Sequence, residues 1–261
     1  MAEIPLLLHG ATGRMGRAVR ECIPEFPELR LRACVAPRKP TAAAASGTSW
    51  LTPDELSKDE ARRGLPDDLV ILDFSLAAGT ARLAEILSDW PRALVAATTA
   101  LDAATESRLA ALAKRAPVLR APNLSLGVAV VQSLLRALPP AVRGAFEAEI
   151  VEHHHAGKKD APSGTAKALA ALMRPTGEGA AGGKGGGQQA GPEIPIHSIR
   201  GGTVPGTHRV ILSGAGETLE IVHTVYDRSV FARGALRAAR FLHRRAPGSY
   251  TIDDVLREDG A

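Results

Sequence analysis

Apolar positions along this chain follow two rhythms, and the first half alternates between them. Short apolar runs at 4–9, 29–35, 69–74, 94–97 and 118–119 predict strands, and stretches with helical content at 17–23, 77–87 and 101–115 fall between them. Strand and helix in regular alternation predict a parallel, doubly wound sheet. Past residue 145 the pattern changes. The segments 146–151, 194–200, 207–213 and 218–226 read as about four strands of a mixed, open sheet, a separate α+β architecture. In the last of them Leu219, Ile221, His223 and Val225 face one way, and Glu220, Val222 and Thr224 the other. Apolar groups on both faces predict that one face covers its own helix and the other meets another subunit. A helix at 231–242, with Ala235, Leu236, Ala239 and Leu242 on one stripe, is expected to return to the first domain. The alanine-rich 40–47 and the glycine-rich 177–191 cannot fill a core and are expected to be a surface loop and a flexible insertion.

Two stretches carry candidate chemistry. The first strand ends in Gly10-Ala11-Thr12-Gly13-Arg14-Met15-Gly16 and a helix follows, which is the context a dinucleotide-binding turn requires. Glycines there permit a tight turn and let the backbone approach a pyrophosphate at the helix N-terminus. The spacing is GxxGxxG rather than GxGxxG, and a purely structural glycine turn is the competing reading. The second stretch, EHHHAGKKDAPSGTA from Glu152 to Ala166, holds three histidines, two lysines and a helix start within fifteen residues. It is expected to form a loop between strand and helix, with Ser163, Gly164 and Thr165 opening the helix where free N–H groups favour an anion. An unperturbed imidazole titrates near neutrality, so His154 and His155 are candidates to supply a proton, while Lys158 and Lys159 add positive charge. No Cys, Asp or Glu stands beside the histidines at a spacing typical of zinc, so no metal is expected. A solvated basic loop before a capped helix remains the alternative.

Composition narrows the partners. The 261 residues carry a net charge of +4 from scattered basic residues, and aromatics make up 3%, so neither a basic cluster nor stacking platforms point to nucleic acid. Small acidic substrates fit better. Cys22 and Cys34 form neither a disulfide framework nor a CxxC pair, and a reducing cytoplasm is expected. The start MAEIPLLLHG has no basic region before its short apolar run, and no stretch of about 18 uncharged apolar residues suggests a membrane span.

The glycine turn GATGRMG, the loop with the pattern E-x-H-H-x-x-K-x-D-A-P-S-G-T-A and the later IRGGTVPGTH occur together and in this order. Together they resemble the 4-hydroxy-tetrahydrodipicolinate (dihydrodipicolinate) reductases over nearly the whole chain. The resemblance implies a Rossmann-like domain at 1–124 completed by 232–261, and a substrate-binding and oligomerisation domain at 125–231. It implies a homotetramer that reduces a small cyclic dicarboxylate with NADPH or NADH in diaminopimelate and lysine biosynthesis. On this resemblance His154 is the catalytic acid and Lys158 its partner, and His155, Gly164 and Thr165 contact substrate. The cofactor falls to Gly10, Ala11, Thr12, Gly13, Arg14 and Met15, to Ala97, Thr98 and Thr99, and to Ala121, Pro122, Asn123 and Leu124. A related reductase for another imine, or a cofactor-binding sensor without turnover, would share the fold.

Three departures from the family pattern stand out. The loop reads Ala97-Thr98-Thr99-Ala100 where a glycine is usual at each end, Leu124 replaces a common aromatic, and Ala36-Pro37 replaces an acidic and often basic pair. A site selective for NADH usually has a carboxylate about 20 residues past the glycine turn. Here the chain reads Val35 to Pro40 with Arg38 and Lys39, which predicts a preference for NADPH, its 2′-phosphate paired with Arg38 and Lys39 and helped by Arg14 of the glycine turn.

Overall fold

The structure, a computed structural model, describes residues 3–40, 47–174 and 193–258. The glycine-rich stretch 177–191 and nearly all of the alanine-rich one lie outside the described residues. In chain order the elements are β1 (Ile4–His9), α1 (Arg14–Cys22), β2 (Leu29–Val35), β3 (Ser49–Leu51), α2 (Pro53–Leu56), α3 (Asp59–Arg63), β4 (Val70–Asp73), α4 (Ala77–Asp89), β5 (Ala93–Ala96), α5 (Ala103–Leu112) and β6 (Pro117–Arg120). Then follow α6 (Leu126–Ala137), α7 (Pro140–Ala145), β7 (Glu147–His154), α8 (Gly164–Met173), β8 (Ile196–Arg200), β9 (Gly206–Gly214), β10 (Glu217–Val225), α9 (Ser229–Leu242), β11 (Gly248–Tyr250) and α10 (Ile252–Glu258). Among the described residues no helix is long and apolar enough to cross a membrane.

The chain divides into two compact units, Met1–Leu126 with Arg228–Ala261, and Gly127–Asp227. The first holds a seven-stranded parallel sheet in the order β11-β6-β5-β4-β1-β2-β3. Strands covered on both faces need apolar residues throughout, and every residue of β1 and of β4 is buried. The strand order turns back between β1 and β4, which sets the loops after these strands side by side at the place where such sheets bind ligands. Short strands β3 and β11 at the two edges carry too little apolar pattern to be read from sequence. Helix α9 packs on α1 and on β4, β5 and β6, and Arg233 grips Glu25 through two N–H···O bonds of 2.7 and 3.0 Å. The C-terminal segment is thereby part of the first unit.

The second unit is a four-stranded mixed sheet in the order β10-β9-β7-β8, in which β7 pairs antiparallel with β9 and parallel with β8. Helices α6 and α8 cover one face: Val131, Leu135, Leu169, Ala170 and Met173 meet Ile150, Val210 and Leu212, and Ile221 of β10 joins them. Ile221, His223 and Val225 are the more buried residues of β10, whereas Val222 on the opposite face is exposed, as is Ile199 of β8.

Backbone strain appears in the loop after β5, where Ala100 has φ +56°. An L-residue in this region pays roughly 1–2 kcal/mol in clash between Cβ and carbonyl, which glycine escapes at an entropic penalty of about 0.4–1 kcal/mol in the unfolded chain. Ala100→Gly is therefore expected to stabilise the protein by about 0.5 kcal/mol. Thermal unfolding of the two proteins side by side checks this, and a lower midpoint for the variant contradicts it.

Candidate active site

In the first unit the turn after β1 is built by backbone geometry. Gly10 has φ +78°, and a Cβ placed on it would sit 2.6 Å from the Phe74 carbonyl oxygen, so the loop after β4 lies directly against the turn. Gly10 N–H and Ala11 N–H both donate to the Val35 carbonyl, at 3.0 and 3.1 Å, which ties the turn to the end of β2. Helix α1 begins behind Gly13 with no side-chain cap, leaving the N–H groups of its first turn directed outward. Thr12, Gly13 and Arg14 are exposed, Met15 is half-buried and Ala11 is buried.

A polar cluster absent from the sequence reading lies beside this turn. His9 Nδ1 meets Asp73 Oδ1 at 2.8 Å, and Asp73, fully buried, also accepts from Ser75 N–H at 3.0 Å and from the Thr80 hydroxyl at 2.5 Å. Burial works against the Asp73 charge, but these donors, His9 first, hold its carboxyl below the usual range. Thr98 is buried and donates to the Ser75 carbonyl at 3.2 Å, while Ala97 is half-buried and Thr99 exposed. Arg120 braces this loop from β6 through the carbonyls of Ala96 and Thr98, both at 3.1 Å. Ala121 and Leu124 are buried, Pro122 is exposed, and the Asn123 side chain accepts from Ser125 N–H at 2.9 Å. Arg38 is exposed and has no ion pair among the described residues. Lys39, by contrast, donates at 2.6 Å to Glu55, a carboxylate one residue past Asp54 that also closes the capping box of α2.

In the second unit His153 and His154 lie on a strand rather than on the loop that the sequence suggested, which begins only at His155 and carries Lys158 and Lys159. Strand β7 runs through His154, because His153 and His154 pair with Ile199 and Arg200 of β8 and His153 also pairs with Thr207 of β9. The apolar pattern stops at Val151, but the strand continues because polar side chains on its inner face find partners. Ile150, Glu152 and His154 alternate on that face and all are buried. His153 points the other way, its Nε2 3.2 Å from the Gly201 carbonyl.

Glu152 is the hub. One oxygen, Oε1, accepts from Arg200 Nη2 at 2.6 Å, Ser198 Oγ at 2.7 Å and Ser163 N–H at 3.3 Å, and the other, Oε2, is in contact with His154 Nδ1. Burial opposes its charge, yet Arg200, Ser198 and His154 outweigh burial and hold its pKa down to about 2. For His154 burial is the larger influence and lowers its proton affinity, Glu152 raises it, and Lys158 and Arg200 lower it again. His208 of β9 stacks edge-on against His154 with ring centroids 5.1 Å apart, and its Nε2 lies 3.2 Å from Ser163 Oγ. Burial pushes the His208 pKa down to about 4, so that ring is neutral at pH 7.

Ser163 caps α8 by accepting from Ala166 N–H at 3.2 Å, and Gly164 and Thr165 form the first turn, one exposed and the other half-buried. Lys158 Nζ lies 2.8 Å from Asp160, whose carboxylate is mostly exposed. His155 is half-buried, fixed by its N–H to the Val204 carbonyl at 2.7 Å.

Ligand-capable atoms of Glu152, His154 and His208 lie within 4.8 Å of one another, a convergence that local sequence spacing did not reveal because His208 arrives from β9. The Arg200 guanidinium on Glu152 and the nearby Lys158 make this a place for protons and anions rather than for a divalent cation. Arg200, Ser198 and His208 are the residues that local motif reading missed. The available signal was IRGGTVPGTH, whose arginine and histidine occupy strands flanking β7.

Comparison with known proteins agrees along the whole chain. Residues 4–124 match the family model described as dihydrodipicolinate reductase, N-terminus, and residues 127–256 the one for the C-terminus. A 4-hydroxy-tetrahydrodipicolinate reductase of Stenotrophomonas maltophilia (strain K279a) is 40% identical over 252 residues, 96% of this chain and 97% of its own. Its counterpart from Clostridium botulinum (strain Eklund 17B / Type B) is 34% identical over 258 residues, 97% and 98% of the two chains. Among solved structures, a dipicolinate-bound dihydrodipicolinate reductase from Paenisporosarcina sp. TG-14 has the same fold, with a TM-score of 0.74 at 21% identity over 95% of this chain and 97% of that one. Two matching domains in the expected order and near full-length relatives above 30% identity converge on one conclusion: the chain belongs to the dihydrodipicolinate reductase family.

Proposed function

We propose that this protein is an NAD(P)H-dependent oxidoreductase that reduces 4-hydroxy-tetrahydrodipicolinate, by way of dihydrodipicolinate, to tetrahydrodipicolinate on the route to diaminopimelate and lysine. The observation that carries this reading is the buried Glu152–His154 pair next to the Ser163-capped start of α8, in a chain of this family.

The first unit fits a nicotinamide dinucleotide. Side chains are excluded inside the turn itself, at Gly10 against the Phe74 carbonyl and at Gly16, whose Cβ would overlap the Gly10 carbonyl, so the turn is tight and α1 packs close behind it. The uncapped start of α1 offers N–H donors there. Gly10 to Met15 would hold the pyrophosphate, and Ala97 to Thr99 and Ala121 to Leu124 the nicotinamide half. Arg38 would meet the adenosine ribose. The bound dihydronicotinamide supplies a hydride to ring C4 of the unsaturated substrate.

The second unit supplies grip and proton. The N–H groups of Gly164 and Thr165 bind one carboxylate with the help of the helix dipole. Lys158 turns to that carboxylate at little loss, since its partner Asp160 is mostly exposed and ion pairs open to solvent are worth about 0–1 kcal/mol. His155 neutralises the second carboxylate. His154 gives the ring its proton from Nε2, so that hydride plus proton saturate one double bond. The assembly is a cytoplasmic homotetramer formed through the outer face of the second sheet, where Ile199 and Val222 are exposed. Light scattering at micromolar concentration should give four times the chain mass, and a monomer would reject the tetramer.

The function is tested by generating the substrate with the preceding synthase and following oxidation of NADPH and NADH in parallel. Oxidation that depends on the synthase product is expected; none with either cofactor would overturn the reading. His154→Gln should lower kcat by roughly a hundredfold with a much smaller change in KM, as loss of a general acid does. Lys158→Ala should damage both, because it removes a charge from bound ground and transition states alike. A His154→Gln enzyme with near wild-type kcat would remove His154 from the proton-donor role.

Cofactor choice gives a separate test. Efficiency, kcat/KM, should be higher with NADPH, and Arg38→Ala should shrink the difference more than Lys39→Ala, because Glu55 already holds Lys39. Salt should weaken the preference, since the pairing is exposed. Equal efficiency with NADH, unchanged by Arg38→Ala, would place ribose recognition elsewhere.

A further inference from the structure

A carboxylate at an inward position of a central strand is costly unless donors surround it. Glu152 is fully buried, and its donors come from three elements: His154 from its own strand, Ser163 N–H from the cap of α8, and Ser198 and Arg200 from β8. The division between its two oxygens is informative. Oε1 takes all three anchoring donors, while Oε2 serves the imidazole alone. A purely structural ion pair with Arg200 needs no such arrangement.

We propose that Glu152 is the positioning residue of this site: it holds the His154 ring by Nδ1, directs Nε2 to the reacting ring, and provides the negative charge that keeps a proton available on His154. The inference rests on the reading of His154 as proton donor. Two neighbours complete the arrangement. Gly206, the first residue of β9, lies beside Nε2 so closely that a Cβ there would be 2.9 Å from it, and among the described residues Nε2 has no protein partner. The His208 ring buttresses His154 edge-on without adding charge.

The electrostatics support the geometry. The groups facing His154 are Glu152 on β7, Arg200 on β8, His208 on β9 and Lys158 on the following loop. Burial, Arg200 and Lys158 all act against its protonated form, and of these neighbours Glu152 alone favours it. Removing the carboxylate therefore lowers the proton affinity of His154. A general acid works only while protonated, so the descending limb of activity moves to lower pH.

Two measurements test this. In the wild-type enzyme labelled with 15N-histidine, neutral His154 should carry its proton on Nδ1; a neutral ring protonated on Nε2 would overturn the assignment whatever the variants do. Glu152→Gln keeps shape and a hydrogen-bond acceptor but loses the charge. It should bind dipicolinate within a few-fold of wild type, lower kcat at neutral pH roughly tenfold or more, and shift the descending limb of kcat against pH down by about one unit. A limb at its wild-type pH would overturn the proposal. A silent His154→Gln variant would show instead that the proton-donor reading had failed, and with it the ground for the proposal.

Discussion

The second unit is organised around a buried negative charge. Glu152 sits on the inner face of the central strand β7, and the donors that make it tolerable come from β8 and from the cap of α8. Removing Arg200 alone would strand a charge in the interior, a loss of about 3–5 kcal/mol for pairs of this kind. The same network fixes the relation between His154 and the start of α8, so the contacts that hold this unit together also set the geometry of the candidate site.

The first unit solves a different problem with backbone rather than charge. Its turn after β1 brings Gly10 against the Phe74 carbonyl in the loop after β4 and leaves α1 without a side-chain cap. Buried polar groups reinforce those loops: Asp73 gathers His9, Ser75 and Thr80, and Arg120 clasps the backbone at Ala96 and Thr98. The strained Ala100 belongs to the same loop.

Much of this was legible in the residues. Apolar runs marked β1, β2, β4, β5 and β6; β1 and β4 are buried along their whole length, as strands covered on both faces are, while β2 leaves Arg30 and Arg32 exposed. Three-residue edge strands such as β3 and β11 were not visible, because so short a segment has no period. The motif from Glu152 to Ala166 pointed to the site, and Ser163 does cap α8. The end of β7 was misjudged for a physical reason: its inner positions past Ile150 are Glu152 and His154, whose burial depends on Arg200 and Ser198 from another strand. Long-range partners of that kind leave no local signature. The partner of Lys39 was equally invisible, its carboxylate Glu55 coming from α2.

The central claim, that the start of α8 and the Glu152-held imidazole form one dicarboxylate site, is tested most directly by a crystal structure with dipicolinate bound. The account predicts one carboxylate on the N–H groups of Gly164 and Thr165 with Lys158 beside it, the ring next to His154 Nε2, and Glu152 still on Nδ1. Dipicolinate bound away from α8, or a His154 ring turned so that Nδ1 leaves Glu152 for the ligand, would contradict it.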